Sequence, residues 1–470
     1  MSTSSTIRIA VTVSSLGLMI AAGVGRDEGA PRQTPATAKA EVIGSVESAA
    51  CVKCHEQKTP VIAAQWRDSR HMRAGVSCYE CHAASKEDPD AFMHEGQLIA
   101  TIVSPRDCGN CHDGITAEFE HSHHSKAAQF IGSLDNILGE VVEGRLAAVN
   151  GCWQCHGSTV ALLKNTDGSV RRDAAGRPQI DPTTWPNTGV GRVNLDGSRG
   201  ACSACHSRHT FSKAMARQPE VCGKCHMGPD HPQIEIYEES KHGIAYRTRI
   251  KEMNLDSESW VVGVDYSAAP TCATCHMSAT PKQPMTHDVG ARISWTLRPV
   301  VSKKLENWEA RRAAMQDTCT NCHGPDFVKA FYTTFDASVE MYNDKFAIPA
   351  QKVMDALRRK KRLTPTPFDE ELEWTFYRLW HHEGRRARMG VSMQGPDYTQ
   401  WHGFFEVAEN FYFKFLPQAR EAAHGDADVA RVIQEVLDAP EHSWKKGMSP
   451  EDRQRIDEFY KERYGSPPSQ

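Results

Sequence analysis

Residues 152–156 read Cys152-Trp153-Gln154-Cys155-His156, and the same Cys-x-x-Cys-His pattern occurs seven more times along the 470-residue chain. The eight motifs contain all 16 cysteines, which are Cys51, Cys54, Cys78, Cys81, Cys108, Cys111, Cys152, Cys155, Cys202, Cys205, Cys222, Cys225, Cys272, Cys275, Cys319 and Cys322. The histidines that close the motifs are His55, His82, His112, His156, His206, His226, His276 and His323. This pattern attaches a c-type haem: both thiols form thioethers with the vinyl groups, and the His becomes the proximal iron ligand.

Two other uses of paired cysteines do not explain the pattern. A disulfide framework has no need of a His after every second cysteine. A zinc site built from Cys-x-x-Cys needs two such pairs per metal ion and no obligatory His. Because no cysteine is left over, the sequence predicts eight covalently bound haem c groups.

The N-terminal segment has the pattern of an export signal. Arg8 is followed by an apolar stretch at residues 9–24 that ends in small residues. We therefore predict a signal peptide at residues 1–25 and a linker rich in Ala and Pro at residues 26–46; an uncleaved N-terminal anchor is the alternative. Haem attachment to such motifs takes place outside the cytoplasm, so the protein is expected in the periplasm or an equivalent extracytoplasmic compartment.

Composition narrows the class of protein. The net charge is -4 and no basic cluster indicates nucleic-acid binding. No later stretch is long and apolar enough for a stable membrane span in the mature chain. Mean hydropathy is -0.53, so we expect the haem rings, rather than runs of Leu and Val, to fill much of the interior of residues 47–325.

The predicted fold class is mainly α: short helices and loops around eight haems, followed by a C-terminal bundle of longer helices at residues 326–464. The helices of this bundle are predicted at 347–362, 368–388, 399–424, 427–438 and 450–464, with Pro417 ending or kinking the third near Leu416. Residues 465–470 are expected to be a loose tail. We interpret the bundle as a lid or an oligomerisation surface.

Fourteen further histidines are available as distal iron ligands. Three share a Ser-x-His pattern and three lie close to a motif in sequence; these six predicted distal ligands are His71, His124, His242, His94, His209 and His287. The seventh is His382 or His402. For any single histidine the alternative is a solvated side chain. Iron with two His ligands transfers electrons, whereas iron with one open position can bind and transform a small molecule.

Several stretches resemble the octahaem hydroxylamine oxidoreductases, over residues 49–464. They are Met-Gly-Pro-Asp-His-Pro at 227–232, Cys-Trp-Gln-Cys-His-Gly at 152–157, Ile-Val-Ser-Pro at 102–105, Thr-His-Asp-Val-Gly at 286–290 and His-Glu-Gly-Arg-Arg at 382–386. The resemblance implies that the haem held by Cys152, Cys155 and His156 is catalytic and lacks a distal protein ligand. Asp230 and His231 would then lie over its open face and accept protons. The alternatives are a turn residue for Asp230 and a distal ligand for His231.

The resemblance also assigns a role to Tyr398, within Gly-Pro-Asp-Tyr-Thr-Gln-Trp-His-Gly at 395–403. In the oxidising members of this family a Tyr from a neighbouring subunit is cross-linked to the catalytic haem, which implies a homotrimer. An ordinary Tyr at a helix end is the alternative, and Tyr412 is a weaker match to the cross-linking residue.

The function expected from this resemblance is oxidation of hydroxylamine to nitric oxide or nitrite. Seven bis-His haems would carry the electrons to an external cytochrome. Hydrazine oxidation to dinitrogen is a close alternative. Reduction of nitrite or hydroxylamine is disfavoured by Tyr398, which the reducing relatives lack. A pure electron conduit with all eight irons closed is disfavoured by the Asp230-His231 pair.

Overall fold

A computed structural model of the chain describes residues 46–130 and 137–466. Helices predominate throughout these residues, which confirms the prediction of a mainly α multihaem fold. The predicted signal peptide, all but the last residue of the predicted linker, and residues 467–470 of the predicted loose tail lie outside the described residues.

Short helices and loops follow one another through the part of the chain that carries the motifs. The α-helices are Val46–Lys58, Pro60–Arg67, Arg70–Arg73, Cys78–His82, Pro105–Gly109, Asp113–His121, Ala127–Phe130, Arg145–Asn150, Cys152–His156, Lys213–Ala216, Pro219–Gly223, Gln233–Glu239, Lys241–Arg249, Cys272–His276 and Trp308–Cys319. Single 3₁₀ turns lie at His124–Lys126, Cys202–Ala204 and Ile250–Glu252, and a π-turn at Leu138–Val142.

The strands within the described residues form two small antiparallel hairpins. Strand Phe92–His94 pairs with Gln97–Ile99, with Phe92 opposite Ile99 and His94 opposite Gln97. The turn between them has positive φ at both Glu95 (47°) and Gly96 (84°), the backbone that a two-residue hairpin turn requires. Strand Trp295–Thr296 pairs with Lys303–Lys304.

Longer helices make up the C-terminal part, as predicted from the sequence. Three of them are long helices that contain π-turns. The first consists of the segments Pro325–Tyr342, Asn343–Ala347 and Ile348–Arg359, and the second of Glu371–Tyr377, Arg378–Glu383 and Gly384–Met393. The third consists of Pro396–Thr399, Gln400–Phe405, Glu406–Asn410, Phe411–Phe415 and Leu416–Ala422. Helix Ala427–Asp438, the 3₁₀ segment Pro440–Lys446 and helix Pro450–Tyr464 complete it. Among the described helices, none combines the length and the apolar character that crossing a bilayer needs.

The π-turns explain where the predicted helix boundaries differ from the structure. The first long helix begins at Pro325, well before residue 347, and passes through a π-turn immediately before segment Ile348–Arg359, whose second residue is Pro349. Pro417 likewise follows the π-turn Phe411–Phe415. Of the two predicted outcomes, an end or a kink near Leu416, the helix does not end there but continues to Ala422. A π-turn shifts the hydrogen-bond register by one residue, so a proline directly after it need not end the helix.

A continuous apolar core fills the C-terminal helices. Its fully buried members include Tyr342, Leu357, Leu379, Phe411 and Phe415. Close packing also requires a glycine at position 384, because a Cβ at Gly384 would collide with the Tyr342 hydroxyl. This core holds the helix Gly384–Met393 firmly against its neighbours, and that helix reaches the site described next.

Candidate functional site

Each motif is built on a helical turn, which gives it the shape that haem attachment requires. Residues Cys78–His82, Cys152–His156 and Cys272–His276 are complete short helices. In four other motifs the backbone N–H of the His donates to the carbonyl of the first Cys, at 2.9 Å for His112 and His323 and 3.0 Å for His206 and His226. Positions i and i+3 of such a turn share a face, so both thiols can reach one porphyrin edge.

The Ser-x-His pattern also has a structural basis. Ser69 Oγ accepts from Met72 N at 3.1 Å and starts the helix Arg70–Arg73, so that His71 is its second residue. Ser240 Oγ accepts from Gly243 N at 3.1 Å and starts the helix that carries His242 at the same position. Both serines are buried. The N-cap therefore fixes the direction in which each of these histidines leaves the backbone.

Histidine rings face motif histidines at a spacing that fits a haem iron between them. The ring centroids lie 6.1 Å apart for His55 with His94, 6.2 Å for His71 with His112, 6.5 Å for His82 with His209, 6.1 Å for His124 with His226 and 6.1 Å for His242 with His323. Two metal–nitrogen bonds of about 2 Å, with half a ring on each side, require about 6.3 Å. The residues present thus fit bis-His haem groups at these five places; His226 lies 6.1 Å from His231 as well as from His124, so the spacing alone does not decide between these two partners.

The remaining predicted distal ligands lie in different surroundings. His287 acts electrostatically on the motif residue His206, and His124 acts on His276 as well as facing His226. His382 packs beside Tyr377 and His381, with ring centroids 5.6 and 5.2 Å away.

His402 is half exposed, with Nδ1 3.0 Å from Glu406 Oε1. That surface position gives no support to a ligand role for His402 within its own chain. His123 was not among the predicted distal ligands, because His124 was preferred. It approaches Gly290 beside the seventh motif.

Contacts between cysteines show which motifs are neighbours. Thiols of different motifs lie close enough to interact strongly at three places: Cys108 with Cys202, Cys222 with Cys272, and Cys155 with Cys225. Further pairs are close enough to interact electrostatically, namely Cys51 with Cys78, Cys81 with Cys111, Cys205 with Cys222, and Cys275 with Cys319. The motifs therefore follow one another in the order one, two, three, five, six, seven and eight, and the fourth motif joins this row at the sixth.

A cavity of about 540 Å³ opens beside the fourth motif. Cys152, Trp153, Arg145 and Gly157 are among its lining residues. Its volume falls within the range of small-molecule and cofactor sites. Gly157 has φ of 87°, and a Cβ there would collide with the backbone of Arg192, so glycine permits the close packing at the end of the motif helix.

Asp230 and His231 form a hydrogen-bonded pair next to this motif. Asp230 Oδ1 lies 2.5 Å from His231 Nδ1. The Cys155 thiol interacts with the Cys225 thiol, and this interaction lowers its pKa. The nearby charge of the His231 imidazole lowers the same pKa. The structure thus brings together the fourth motif, the sixth motif and the Asp-His segment, which are separated by up to 80 residues in the sequence.

The C-terminal helices contribute directly to the same site. Arg385 Nη1 donates to Asp230 Oδ2 at 2.9 Å, and its Nε donates to the Arg298 carbonyl at 2.9 Å. Arg386 Nη1 donates to the Pro229 carbonyl at 3.2 Å. His381 Nε2 lies 3.9 Å from Asp230 Oδ2. The C-terminal part is therefore more than the lid or oligomerisation surface predicted from the sequence.

Electrostatics sets the protonation states of the pair. Burial alone would raise the pKa of Asp230, but the hydrogen bond and charge of His231, together with His381 and Arg385, hold that pKa below its usual range. Burial would lower the pKa of His231, but the hydrogen bond and charge of Asp230 raise it. Burial and the charge of Arg385 lower the pKa of His381 to about 2. The site therefore holds an ionised carboxylate between cationic and neutral nitrogen groups.

Tyr398 lies on the short helix Pro396–Thr399, partly exposed. Its ring centroid is 5.6 Å from that of His402. Burial and the nearby carboxylates of Glu235 and Glu239 raise the pKa of Tyr398, which keeps the phenol neutral. Tyr412 is buried and its hydroxyl lies 2.7 Å from His442 Nδ1, so it has a structural role inside the helical core.

Two family models match parts of the chain. One, described as "Seven times multi-haem cytochrome CxxCH", matches residues 193–366. The other, described as "Cytochrome c554 and c-prime", matches residues 28–93 and 107–175. Both describe proteins with covalently bound haem c, in agreement with the motif geometry.

Curated relatives are similar at low identity. The chain is 28% identical over 454 residues to a Kuenenia stuttgartiensis protein named "Probable nitrite reductase-hydroxylamine oxidoreductase fusion protein", covering 81% of this chain and 49% of that one. It is 25% identical over 304 residues to the C-type polyheme cytochrome OmcB of Geobacter sulfurreducens, covering 60% of this chain and 36% of that one. The chain thus spans half or less of the length of these relatives.

Solved structures share the fold. A protein called "Hypothetical multiheme protein" superposes with a TM-score of 0.71 at 25% identity, over 82% of this chain and 98% of that one. A Kuenenia stuttgartiensis reducing HAO-like protein complex superposes with a TM-score of 0.58 at 20% identity, over 82% of this chain and 87% of that one. The second likeness concerns the fold alone.

Proposed function

We propose that this chain, a multihaem c-type cytochrome with an oxidoreductase-like electron-transfer function, oxidises hydroxylamine to nitric oxide or nitrite. The reaction would take place at the haem held by Cys152, Cys155 and His156. Asp230 and His231 are its proton acceptors in this proposal. In this proposal the eight motifs hold eight haem c groups per chain, of which, by the resemblance, one is catalytic and seven are bis-His.

One observation carries the proposal: the hydrogen-bonded Asp230-His231 pair lies close to both the fourth and the sixth motifs. His231 acts on the Cys155 thiol, and Asp230 is held from the other side by Arg385. An electron conduit has no need of an acid–base pair at one motif. A carboxylate hydrogen-bonded to an imidazole is the kind of group that removing protons from a small substrate requires.

The chemistry requires such groups. Oxidation of hydroxylamine to nitric oxide releases three electrons and three protons; oxidation to nitrite consumes water and releases four electrons and five protons. When bound, a haem with an open iron position takes the electrons. His231 binds Asp230 through Nδ1, which leaves Nε2 as the nitrogen that can accept a substrate proton.

The order of the motifs supports a path for the electrons. Cys155 of the fourth motif lies close enough to Cys225 of the sixth to interact with it, so the haems of these two motifs would be neighbours. Electrons from the site would therefore pass first to the haem of the sixth motif. From there the row extends toward the first motif in one direction and the eighth in the other. An external cytochrome at either end would receive them, in the extracytoplasmic compartment where haem attachment occurs.

Tyr398 supports the oxidative direction and a homotrimer. It is partly exposed, and the π-turn that follows it in sequence carries two exposed aromatic side chains in contact with each other, Trp401 at 59% and Phe405 at 50%. An exposed aromatic surface of this kind is typical of protein–protein interfaces. In this proposal a neighbouring copy covers it, and Tyr398 forms the cross-link to that copy's catalytic haem.

A second candidate function, nitrite reduction, is favoured by the charge around the site. Arg385 contacts the single carboxylate Asp230, and Arg298 lies close enough to Arg385 for their charges to interact. An excess of cationic groups favours an anionic substrate. The name of the Kuenenia stuttgartiensis relative includes a nitrite reductase.

Turnover measurements test these alternatives. The purified holoprotein is supplied with hydroxylamine or hydrazine and an oxidised cytochrome, and separately with nitrite and a reductant. The proposal expects hydroxylamine to give the highest kcat/KM. Hydrazine as the better substrate would indicate a dehydrogenase that forms dinitrogen, and turnover with nitrite alone would reverse the assigned direction.

The cross-link has its own test. Tyr398→Phe should remove the covalent bond between chains, visible as loss of a cross-linked species in a denaturing mass spectrum, and should weaken hydroxylamine oxidation relative to reduction. Tyr412→Phe is the matched control because Tyr412 is buried in the helical core. If Tyr398→Phe oxidises hydroxylamine as fast as the parent, Tyr398 is not the modifying residue.

A further inference from the structure

Arg385 connects two distant parts of the sequence at the site. It lies on the C-terminal helix Gly384–Met393, and its Nη1 donates to Asp230 Oδ2 at 2.9 Å across 155 positions of sequence. Its side chain is only 13% exposed. A buried pair of this kind is screened far less by solvent than a surface ion pair.

The guanidinium of Arg385 is itself held in place. Its Nε donates to the Arg298 carbonyl at 2.9 Å, and its Cζ lies 5.3 Å from the ring centroid of the buried Trp380. A planar group fixed by a hydrogen bond on one side and an aromatic ring beside it has little rotational freedom. Arg385 therefore offers Asp230 a fixed donor.

This arrangement uses both oxygens of Asp230. Oδ2 accepts from Arg385, and Oδ1 lies 2.5 Å from His231 Nδ1. A carboxylate held at both oxygens cannot rotate, and its hydrogen bond to Nδ1 selects which nitrogen of the imidazole carries the proton. The orientation of His231 thus depends on a side chain from the C-terminal helices.

We infer that Arg385 is a positioning residue for the reaction, acting through Asp230 on the imidazole of His231. The inference rests on the proposed function, because it assigns His231 the role of proton acceptor. It predicts that the C-terminal part affects catalysis through one guanidinium, independently of its effect on folding.

Three variants test the inference in the holoprotein. Arg385→Gln removes the charge and the fork, Arg385→Lys keeps the charge, and Arg362→Gln is a matched control that breaks another ion pair of the C-terminal part, 3.1 Å from Asp426. We expect Arg385→Gln to lower kcat by about 10–100-fold with little change in KM, the range found for losing a partner that orients a functional group. Arg385→Lys should recover part of kcat, and Arg362→Gln should match the parent.

A second readout does not depend on turnover. Hydrogen cyanide must release its proton to a base when cyanide binds a ferric haem with an open position. The association rate of cyanide, followed by absorbance, should fall about tenfold in Arg385→Gln and stay unchanged in Arg362→Gln. Haem content and melting temperature should be similar in the two variants.

The outcomes separate this inference from the proposed function. Equal kcat and equal cyanide rates in Arg385→Gln and the parent would overturn it. Loss of haem or a much lower melting temperature in both Arg385 variants, but not in Arg362→Gln, would also overturn it, because the role would then be structural. If the parent does not oxidise hydroxylamine but the cyanide rates differ as expected, the proposed function fails and the positioning role stands.

Discussion

The haem-binding part and the C-terminal part of this chain fill their interiors in different ways. In the C-terminal helices, large apolar side chains such as Phe346, Leu357 and Phe411 form one continuous buried core. Before residue 237 the described buried apolar residues are mostly small: Ala63, Ala91, Phe92, Ile102, Ala127, Leu138, Ala148, Val160, Ala201, Ala204 and Ile236. Small side chains leave space, and beside the fourth motif the buried Ala148 lines the cavity together with Cys152.

This difference shows which part depends on its cofactors. A core of Leu and Phe is stabilised by burial of its own side chains, whereas we expect a region of alanines and short helices to use the haem rings as its apolar interior. An aromatic cluster between the sixth and seventh motifs, including Trp260 and Tyr266, is the exception. We therefore expect the two parts to respond differently to the same kind of substitution.

The largest expected effect is removal of one haem. Replacing both Cys152 and Cys155 with Ala should leave seven covalent haems and abolish hydroxylamine oxidation, because the catalytic haem loses its attachment. Mass spectrometry and a pyridine haemochrome assay give the haem count. The control is the same double substitution at Cys319 and Cys322, which should also lose one haem but keep cyanide binding at the open site. Abolished cyanide binding in the control, with retention in the first variant, would place the catalytic haem elsewhere.

The next effect concerns the acid–base pair. Asp230→Asn and His231→Ala should each slow oxidation by about 10²–10⁴-fold, the usual contribution of general acid–base catalysis, with haem content unchanged. Steady-state kinetics and absorbance spectra measure both properties. A spectrum showing that a bis-His haem has lost a ligand in His231→Ala would mean that His231 binds iron. Unchanged rates in both variants would show that protons leave by another route.

A smaller effect tests the difference in packing directly. Leu357→Ala, at a fully buried position in the C-terminal core, should lower the free energy of unfolding by about 2–5 kcal/mol. Leu146→Ala, in the haem-binding part and 70% exposed, should change it by less than about 0.5 kcal/mol. Denaturant titrations of the holoprotein give both values. A loss below about 0.5 kcal/mol in Leu357→Ala would mean that the core of the C-terminal helices is less important for stability than its burial indicates. A loss in Leu146→Ala as large as that in Leu357→Ala would mean that the two parts do not differ in this way.

The smallest expected effect concerns the helix caps that place distal histidines. Ser240→Ala removes the buried cap of the helix that carries His242 and should cost about 1 kcal/mol. Ser449→Ala removes the cap of helix Pro450–Tyr464, which has no buried residue, and should leave the melting temperature nearly unchanged. A shift in the spectrum of a bis-His haem in Ser240→Ala alone would connect the cap to ligation.

The sequence by itself determined the local chemistry. Haem attachment needs two thiols and a His within five consecutive residues, so each motif can be recognised from the sequence without any tertiary contact. Helical periodicity and proline positions likewise indicated the long C-terminal helices. Their boundaries were less well predicted, because the π-turns before Pro349 and Pro417 depend on packing that a one-dimensional pattern does not encode.

Tertiary structure alone decided which residues meet. Facing histidines such as His71 and His112, or His82 and His209, come from different segments, and only the folded chain sets their spacing. The same holds for Arg385 and Asp230, which sequence analysis treated as parts of separate regions. Ion pairs and thiol contacts act over a few ångströms, whereas the sequence records only order along the chain. Partners 155 positions apart can therefore be identified only from the folded structure.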